Sequence, residues 1–140
     1  ALANAIVAAE MDDGPQNWLL QVLGLRRATV VSHGYEQTSP LELISVVQGK
    51  LRLVDLAVTS ALTSKRYTSY TVSYLDHEGK AVAPTQVLRA LGPLDVPLVQ
   101  GAEYLVVRIV ANRHGVPLSR PFEAHLKHAA GQFSLLGVRH

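Results

Sequence analysis

The pattern of hydrophobic and polar positions changes near Pro40. Downstream of this proline, apolar residues recur at every second position in several short segments, which is the period of a half-buried β-strand. The segment 51–58 (LRLVDLAV) is the clearest, because Leu51, Leu53 and Asp55 fall on one face of the predicted strand. An unpaired buried carboxylate costs several kcal/mol. We therefore expect Asp55 to pair with an arginine, such as Arg108, or to lie at an exposed edge.

About seven short strands follow one another at intervals of 8 to 12 residues, which is typical of an all-β sandwich. The predicted segments are 41–47, 51–58, 67–75, 81–91, 92–103, 104–112 and 121–128. Pro84 cannot donate a ladder hydrogen bond, so 81–91 is predicted to be an edge strand. There is no room for helices between these strands, which excludes a doubly wound α/β fold. The predicted fold class is an antiparallel, seven-stranded β-sandwich with a partly helical N-terminal extension.

The N-terminal extension, 1–38, is patterned differently. Leu2, Ile6 and Ala9 share one helical face, and the sequence DDGP that follows them predicts the end of that helix. The dense apolar residues 18–25 suit a helix or a buried strand. The segment 27–32 (RATVVS) is rich in β-branched residues and predicts a strand, and 33–40 predicts a loop.

The apolar content of this extension exceeds what a helix cap needs. Trp18, Leu19 and Leu23 are therefore predicted to form an assembly surface, which either covers one end of the sandwich or docks on another subunit.

Four segments, in order, carry a family resemblance. They are SP (39–40), YTVSYLDHEGKAV (70–82), LVQGAEYLVVRIVAN (98–112) and GVPLSRPFEA (115–124). Together they resemble a fibronectin type III domain or a related immunoglobulin-like sandwich over 39–128, which leaves 129–140 as a C-terminal tail. The resemblance implies a tyrosine corner at Tyr104, whose hydroxyl bonds to the backbone while its ring packs inside, with Leu98 in the same core.

The amino-acid composition excludes several classes of site and partner. The chain has no cysteine, so disulfides and thiolate metal sites are excluded. Its formal net charge is only +2, and its basic residues are dispersed, so we expect no nucleic-acid partner. No uncharged apolar run approaches the ~18 residues of a membrane span, and we expect none.

The sequence NRHG (112–115) raises the possibility of an enzyme. Arg-His-Gly after an apolar run resembles the start of the phosphohistidine site of histidine phosphatases, with His114 as nucleophile. That fold needs a long α/β body, and little chain follows the motif here. The alternative is a polar turn between two strands, which we favour. On this interpretation Arg113, His114 and Val116 form one interaction loop, and Asp76, His77 and Glu78 form another.

His125 and His128 leave two local structures open for 121–131. As a helix, the segment places both imidazoles on one face as metal ligands, whereas as a strand it places them on opposite faces. The type III resemblance favours the strand, and we expect no metal or cofactor.

These observations favour a non-enzymatic structural or protein–protein interaction module. Its partners are expected to be copies of itself or other structural subunits of a larger assembly, such as the tail, collar or decoration proteins of a phage virion. A bacterial envelope or secreted adhesion module is one alternative, and a small phosphatase or hydrolase using His114 is another. The sequence leaves the location open between a virion and the bacterial envelope or exterior.

Overall fold

Helix α1 (Asp13–Gln37) is the first element of the computed structural model, which describes residues 13–118 and 120–140. This helix begins at Asp13, and its first turn contains Gly14 and Pro15. Proline is tolerated in a first helical turn, where its missing N–H has no partner to lose. The predicted helical face at Leu2, Ile6 and Ala9 lies outside the described residues.

The predicted strand at 27–32 and most of the predicted loop at 33–40 are also helical. The Thr29 hydroxyl donates to the carbonyl of Leu25 at 3.0 Å, so this side chain is satisfied within the helix. Propensity is a weak guide over a segment of six residues, because the cost of a β-branched residue in a helix is only a fraction of a kcal/mol. The chain divides into two compact units at Gly34 and Tyr35, and the second unit holds all the described strands.

Two antiparallel sheets make up this second unit. The strands, in chain order, are β1 (Leu41–Val47), β2 (Lys50–Asp55), β3 (Thr68–Leu75), β4 (Ala81–Leu88), β5 (Leu94–Pro97), β6 (Tyr104–Arg113), β7 (Val116–Pro117), β8 (Phe122–Ala129) and β9 (Gln132–Arg139). The smaller sheet has the order β1-β2-β5, and the larger has the order β4-β3-β6-β8-β9, with β7 also paired to β6. The described residues thus contain nine strands rather than the predicted seven.

The predicted strand at 51–58 ends early, at Asp55. The Asp55 carboxylate accepts hydrogen bonds from the backbone of Ala57 at 3.0 Å and Val58 at 3.2 Å, and so caps a short helix, α2 (Leu56–Thr59). Aspartate is among the best N-cap residues, because its oxygen satisfies N–H groups that have no partner in the helix. A 3₁₀ turn (Lys65–Tyr67) then leads into β3.

One hydrophobic core joins the two sheets. Every second residue of the central strands lies in it, and its members with no exposed surface include Leu51, Leu53, Val72, Tyr74, Val96, Leu105, Val107, Ile109, Phe122 and Leu126. Burying one such side chain stabilises the fold by about 1.5–3 kcal/mol. The predicted period of two is therefore confirmed on β2, β3 and β6, including the inward position of Asp55, which is 6% exposed. On β1 a register shift between Leu43 and Ser45 interrupts it, so that Val46 packs on the core and Val47 is exposed.

Within 121–131, residues 122–129 form strand β8, so this segment is a strand and not a helix. Phe122, Ala124 and Leu126 lie in the core, so His125 lies on the opposite face of β8. The next strand, β9, occupies most of the segment assigned to a C-terminal tail. It pairs with β8 through a hairpin at Ala130 and Gly131, which both have positive φ angles, of 53° and 78°. Two-residue loops of this kind favour such angles, because their twist matches that of the strands.

The tyrosine corner expected at Tyr104 is not observed. The Tyr104 hydroxyl lies 2.9 Å from Nδ1 of His125, on the outer face of the larger sheet, rather than bonding to the backbone. Tyr74 instead donates to the carbonyl of Pro97 at 2.9 Å, and this bond links the two sheets. Leu98 is 7% exposed and packs in the core as predicted.

Candidate functional site

His114 occupies a tight turn between β6 and β7. His114 and Gly115 have φ angles of 50° and 82°, and the residues that flank them, Arg113 and Val116, are paired. The imidazole stacks on the ring of Tyr67, with centroids 4.5 Å apart and planes 21° apart. The backbone N–H of His114 also donates to the carbonyl of Tyr67 at 2.9 Å. The segment is therefore a two-residue hairpin turn held against the 3₁₀ turn.

Arg113 belongs to a buried polar cluster rather than to the surface of this loop. Its Nη2 donates to Oδ2 of Asp55 at 2.6 Å, and the hydroxyl of Tyr70 donates to the same oxygen at 2.8 Å. The side chains of Arg113 and Asp55 are 14% and 4% exposed. Burial, followed by the negative charge of Asp55, raises the pKa of Tyr70 well above its ordinary value. Asp55 therefore pairs with Arg113, not with Arg108.

The turn after β3 is organised by Asp76. Its Oδ1 accepts the backbone N–H groups of Lys80 and Glu78, both at 2.9 Å. These hydrogen bonds, that from Lys80 foremost, lower the pKa of the Asp76 carboxyl. The side chains of His77 and Glu78 are 71% and 73% exposed. This loop thus offers His77 and Glu78 to solvent, while Asp76 holds the turn.

The two predicted interaction loops lie at opposite ends of the larger sheet. In the pairing of β3 with β6, Thr68 is opposite Arg113, and Leu75 is opposite Val106. The loop at His114 therefore adjoins the start of β3, and the loop at Asp76 adjoins its end. Because β3 is eight residues long, about 24 Å separates its first and last residues at the usual rise per residue. The two loops therefore do not adjoin one another.

His125 and His128 do not converge. His125 bonds to Tyr104 on the outer face, whereas the ring of His128 packs beside Phe133, with centroids 4.8 Å apart. Within the described residues, no group of three or more His, Cys, Asp or Glu side chains is arranged to hold a metal ion.

An apolar edge formed by β1 and β9 is the most prominent surface of the sandwich unit. The strands β1 and β9 are each the edge strand of their sheet, and they lie in contact with one another. Large apolar side chains along them are exposed to solvent: Ile44 at 55%, Val47 at 55%, Leu135 at 42%, Leu136 at 57% and Val138 at 44%. We call these five residues the β1–β9 edge.

The backbone of β9 adds a second property to the β1–β9 edge. As the last strand of its sheet, β9 pairs only with β8 among the described residues, so one side of its ladder has unpaired N–H and C=O groups. The strand contains no proline or lysine, and its one charged residue is Arg139 at its end. Edge strands are usually protected by such residues, and unprotected ones pair with strands of other chains.

The opposite edge of the larger sheet differs. Strand β4 is predicted and observed at the edge, and Pro84 lies in its middle. Its exposed apolar side chains are Val82 and Val87. The proline removes one hydrogen-bond donor from the ladder, so this edge is less able to pair with a strand of another chain.

Sequence reasoning misses the β1–β9 edge because it assigns 129–140 to a tail. The available signal is local: Ala130 and Gly131 follow a strand, and an apolar segment, 133–138, comes directly after them. The two-residue turn is recognisable from the glycine. The alternation of β9 is interrupted, however, by a bulge at the place where β9 pairs with His125 and Leu126 of β8.

The predicted assembly surface on α1 is exposed in part. Trp18 is 64% exposed, while Leu19 and Leu23 are half-buried. Leu25 and Val30, at 70% and 72%, are also open to solvent. None of the helices in the described part of the chain combines the length and the hydropathy that a membrane crossing requires.

Comparison with known proteins identifies no relative: no family model, no curated protein and no solved structure matches this chain.

Proposed function

We propose that residues 39–128 form a fibronectin type III-like sandwich. In immunoglobulin-like sandwiches, strands A, B and E share one sheet, and C, F and G share the other. The sheet orders β1-β2-β5 and β3-β6-β8 support this equivalence in chain order. Strand β4, beside β3, corresponds to the C′ strand that some of these domains add. The absent tyrosine corner and the additional strand β9 are departures from the pattern.

We propose further that the chain is a non-enzymatic interaction module that assembles with copies of itself through the β1–β9 edge. The observation that carries this proposal is an edge strand of eight residues with apolar side chains, no proline or lysine, and a backbone that is unpaired on one side. Pairing with a further strand satisfies the free N–H and C=O groups and removes the exposed leucines from water. Both effects favour association.

A second copy of this chain suits β9 better than an unrelated strand for two reasons. Closed two-fold dimers are the commonest oligomers, and they use the same patch on both subunits. In an antiparallel pair of β9 strands, the two Arg139 side chains lie at opposite ends, so the only charges of the strand do not face each other. The middle of the pair, Leu135 and Leu136, is apolar in both copies.

The experiment is a charge substitution at the centre of β9. We expect the full chain to show a concentration-dependent increase in mass by size-exclusion chromatography with light scattering, and Leu136→Lys to remain monomeric. Each lysine removes an apolar contact and places a charge in the apolar centre of the pair. Val87→Lys, at the opposite edge and 68% exposed, is the matched control and should assemble like the unmodified chain.

Hydrogen exchange locates the contact independently. The outward amides of β9 should become protected as concentration rises, while those of β4 should not. If Leu136→Lys assembles normally and Trp18→Lys does not, the contact lies on α1, and the proposal for β9 is wrong.

The setting that the resemblance implies is a larger structural assembly, with a phage virion as the foremost case and a bacterial envelope or adhesion module as the alternative. This part of the proposal rests on analogy between folds. Exposed apolar surface on both α1 and β9 supports a subunit with more than one neighbour.

A further inference from the structure

Three charged residues lie in one row across the outer face of the larger sheet. Arg108 on β6 is directly opposite Glu123 on β8, and Glu123 is directly opposite Arg139 on β9. Residues directly opposite each other on antiparallel strands point to the same face. Glu123 is therefore flanked by an arginine on each side.

Glu123 is bound to only one of these arginines. Its Oε1 accepts from Nε of Arg108 at 2.7 Å, and its Oε2 lies 3.9 Å from Nε2 of His125. The Glu123 side chain is 10% exposed, whereas that of Arg108 is 47% exposed. Glu123 thus forms the floor of a surface depression, and it holds the guanidinium of Arg108 in place above it.

A third arginine completes this depression. The loop that leads into β8 brings Arg120 to the same place, and the result is a cleft of about 410 Å³. Its lining residues are Arg108, Arg120, Pro121, Glu123, Arg139 and His140. We call it the arginine cleft. The ring of His140 stands edge-on to the buried ring of Phe122, with centroids 5.4 Å apart.

The arginine cleft has far more hydrogen-bond donors than acceptors. A guanidinium carries five N–H donors and no acceptor. Within the part of the chain that the structure describes, the bond from Arg108 to Glu123 is the one hydrogen bond that these three side chains make. Arg120 and Arg139 are exposed and have no protein partner there. Three guanidinium groups thus line a cleft in which Glu123 is the one acidic side chain among the described lining residues.

We propose that the arginine cleft binds a phosphate or sulfate group, either free or carried as a monoester on a larger molecule. Planar guanidinium groups bind tetrahedral oxyanions through paired, charge-assisted hydrogen bonds, and clusters of arginine are the usual means of recognising them. Glu123 has a positioning role, because its bond to Nε leaves the Nη groups of Arg108 free to bind a ligand.

The test uses the full chain, titrated by NMR with inorganic phosphate, inorganic sulfate and phosphoserine at constant ionic strength, with sodium chloride as the reference. We expect saturable shifts of the side-chain Nε–H signals of Arg108 and Arg139 with the oxyanions and none with chloride. Tighter binding of phosphoserine than of phosphate identifies a monoester as the ligand, and equal binding identifies the free ion.

Arg120→Gln and Arg139→Gln should each weaken binding about tenfold, the loss expected for a charged hydrogen-bonded contact. Arg89→Gln makes the same change of charge at an exposed residue outside the cleft and should leave the affinity unchanged. Both cleft positions are exposed, so these variants should keep their fold, which the unchanged amide spectrum of the core verifies. Unsaturable shifts that chloride reproduces, or an equal loss of affinity in Arg89→Gln, would overturn the proposal.

Discussion

Replacing Asp55 with asparagine should strongly destabilise the sandwich unit, because it breaks a buried ion pair. The carboxylate accepts four hydrogen bonds: from Ala57, Val58, Tyr70 and Arg113. Asparagine keeps the size of the side chain and its ability to cap α2. It removes the negative charge, however, and leaves the guanidinium of Arg113 uncompensated in a site where only 14% of that side chain is exposed.

The expected magnitude follows from this burial. Breaking a buried ion pair by removing one partner costs about 3–5 kcal/mol, because the remaining charge stays desolvated. Because asparagine still caps α2, we expect a loss of stability at the lower end of that range. For a unit of this size, a loss of ~3 kcal/mol lowers the thermal midpoint by roughly 12 °C. The double variant Asp55→Asn, Arg113→Met should recover part of the loss, because it leaves no buried charge.

The assay is urea denaturation followed by far-UV circular dichroism near the β-sheet band. Fluorescence is unsuitable, because the single tryptophan, Trp18, lies in α1 and outside the sandwich unit. Asp95→Asn is the matched control, because Asp95 forms an ion pair with Arg52 at 2.8 Å in which both side chains are well exposed. Solvent screens such a pair, so we expect a far smaller effect. Equal denaturation midpoints for the two variants would refute the reasoning.

Three further predictions concern single side chains. Burial raises the pKa of Tyr70 and of Tyr74. The folded state therefore keeps protons that the unfolded chain loses near pH ~10, and stability should fall as the pH rises through that value. Tyr70→Phe should leave the tyrosinate absorbance of the folded protein at that pH unchanged and lower that of the unfolded protein. His114→Gly should keep the thermal midpoint within a few degrees, because glycine suits the φ of 50°. The same variant should leave any hydrolysis of a generic phosphate ester unchanged. Loss of a real activity in this variant would favour the hypothesis that His114 is a nucleophile. If α1 contributes to assembly, acrylamide should quench Trp18 less at concentrations where light scattering shows larger species, and equal quenching at all concentrations would exclude that contribution.

The arginine partner of Asp55 shows how far local patterns can lead. The inward position of Asp55 follows from the alternation of β2, and Arg108 is the partner that the sequence suggests. On β6, however, Leu105, Val107 and Ile109 face the core, so Arg108 lies on the outer face and Arg113, five residues later, on the inner one. The alternation of inward and outward side chains on β6 therefore already excludes Arg108 as the partner of Asp55. The choice of Arg113 among the remaining arginines needs the register between strands.

Local secondary-structure propensity gives the wrong assignment where it is the only guide. Residues 27–32 are β-branched and predict a strand, yet they continue a helix. Residues 132–139 do not alternate cleanly because of a bulge, and they are predicted to be a tail, yet they form β9. In both cases the difference in local free energy between the alternatives is small, and contacts with residues distant in sequence decide the outcome.

Local sequence was sufficient to predict the presence of the strands from β1 to β6 and β8, the turns at Gly79 and Gly115, and the alternation of core residues on β2, β3 and β6. These follow from a period of two and from backbone angles that particular residues allow, and both are properties of a few neighbouring positions. Only the tertiary structure shows that Asp55 pairs with Arg113 and that Arg108, Arg120 and Arg139 line one cleft. Strand pairing sets those distances, and the register of a pair depends on residues far apart in the chain, which no local pattern encodes.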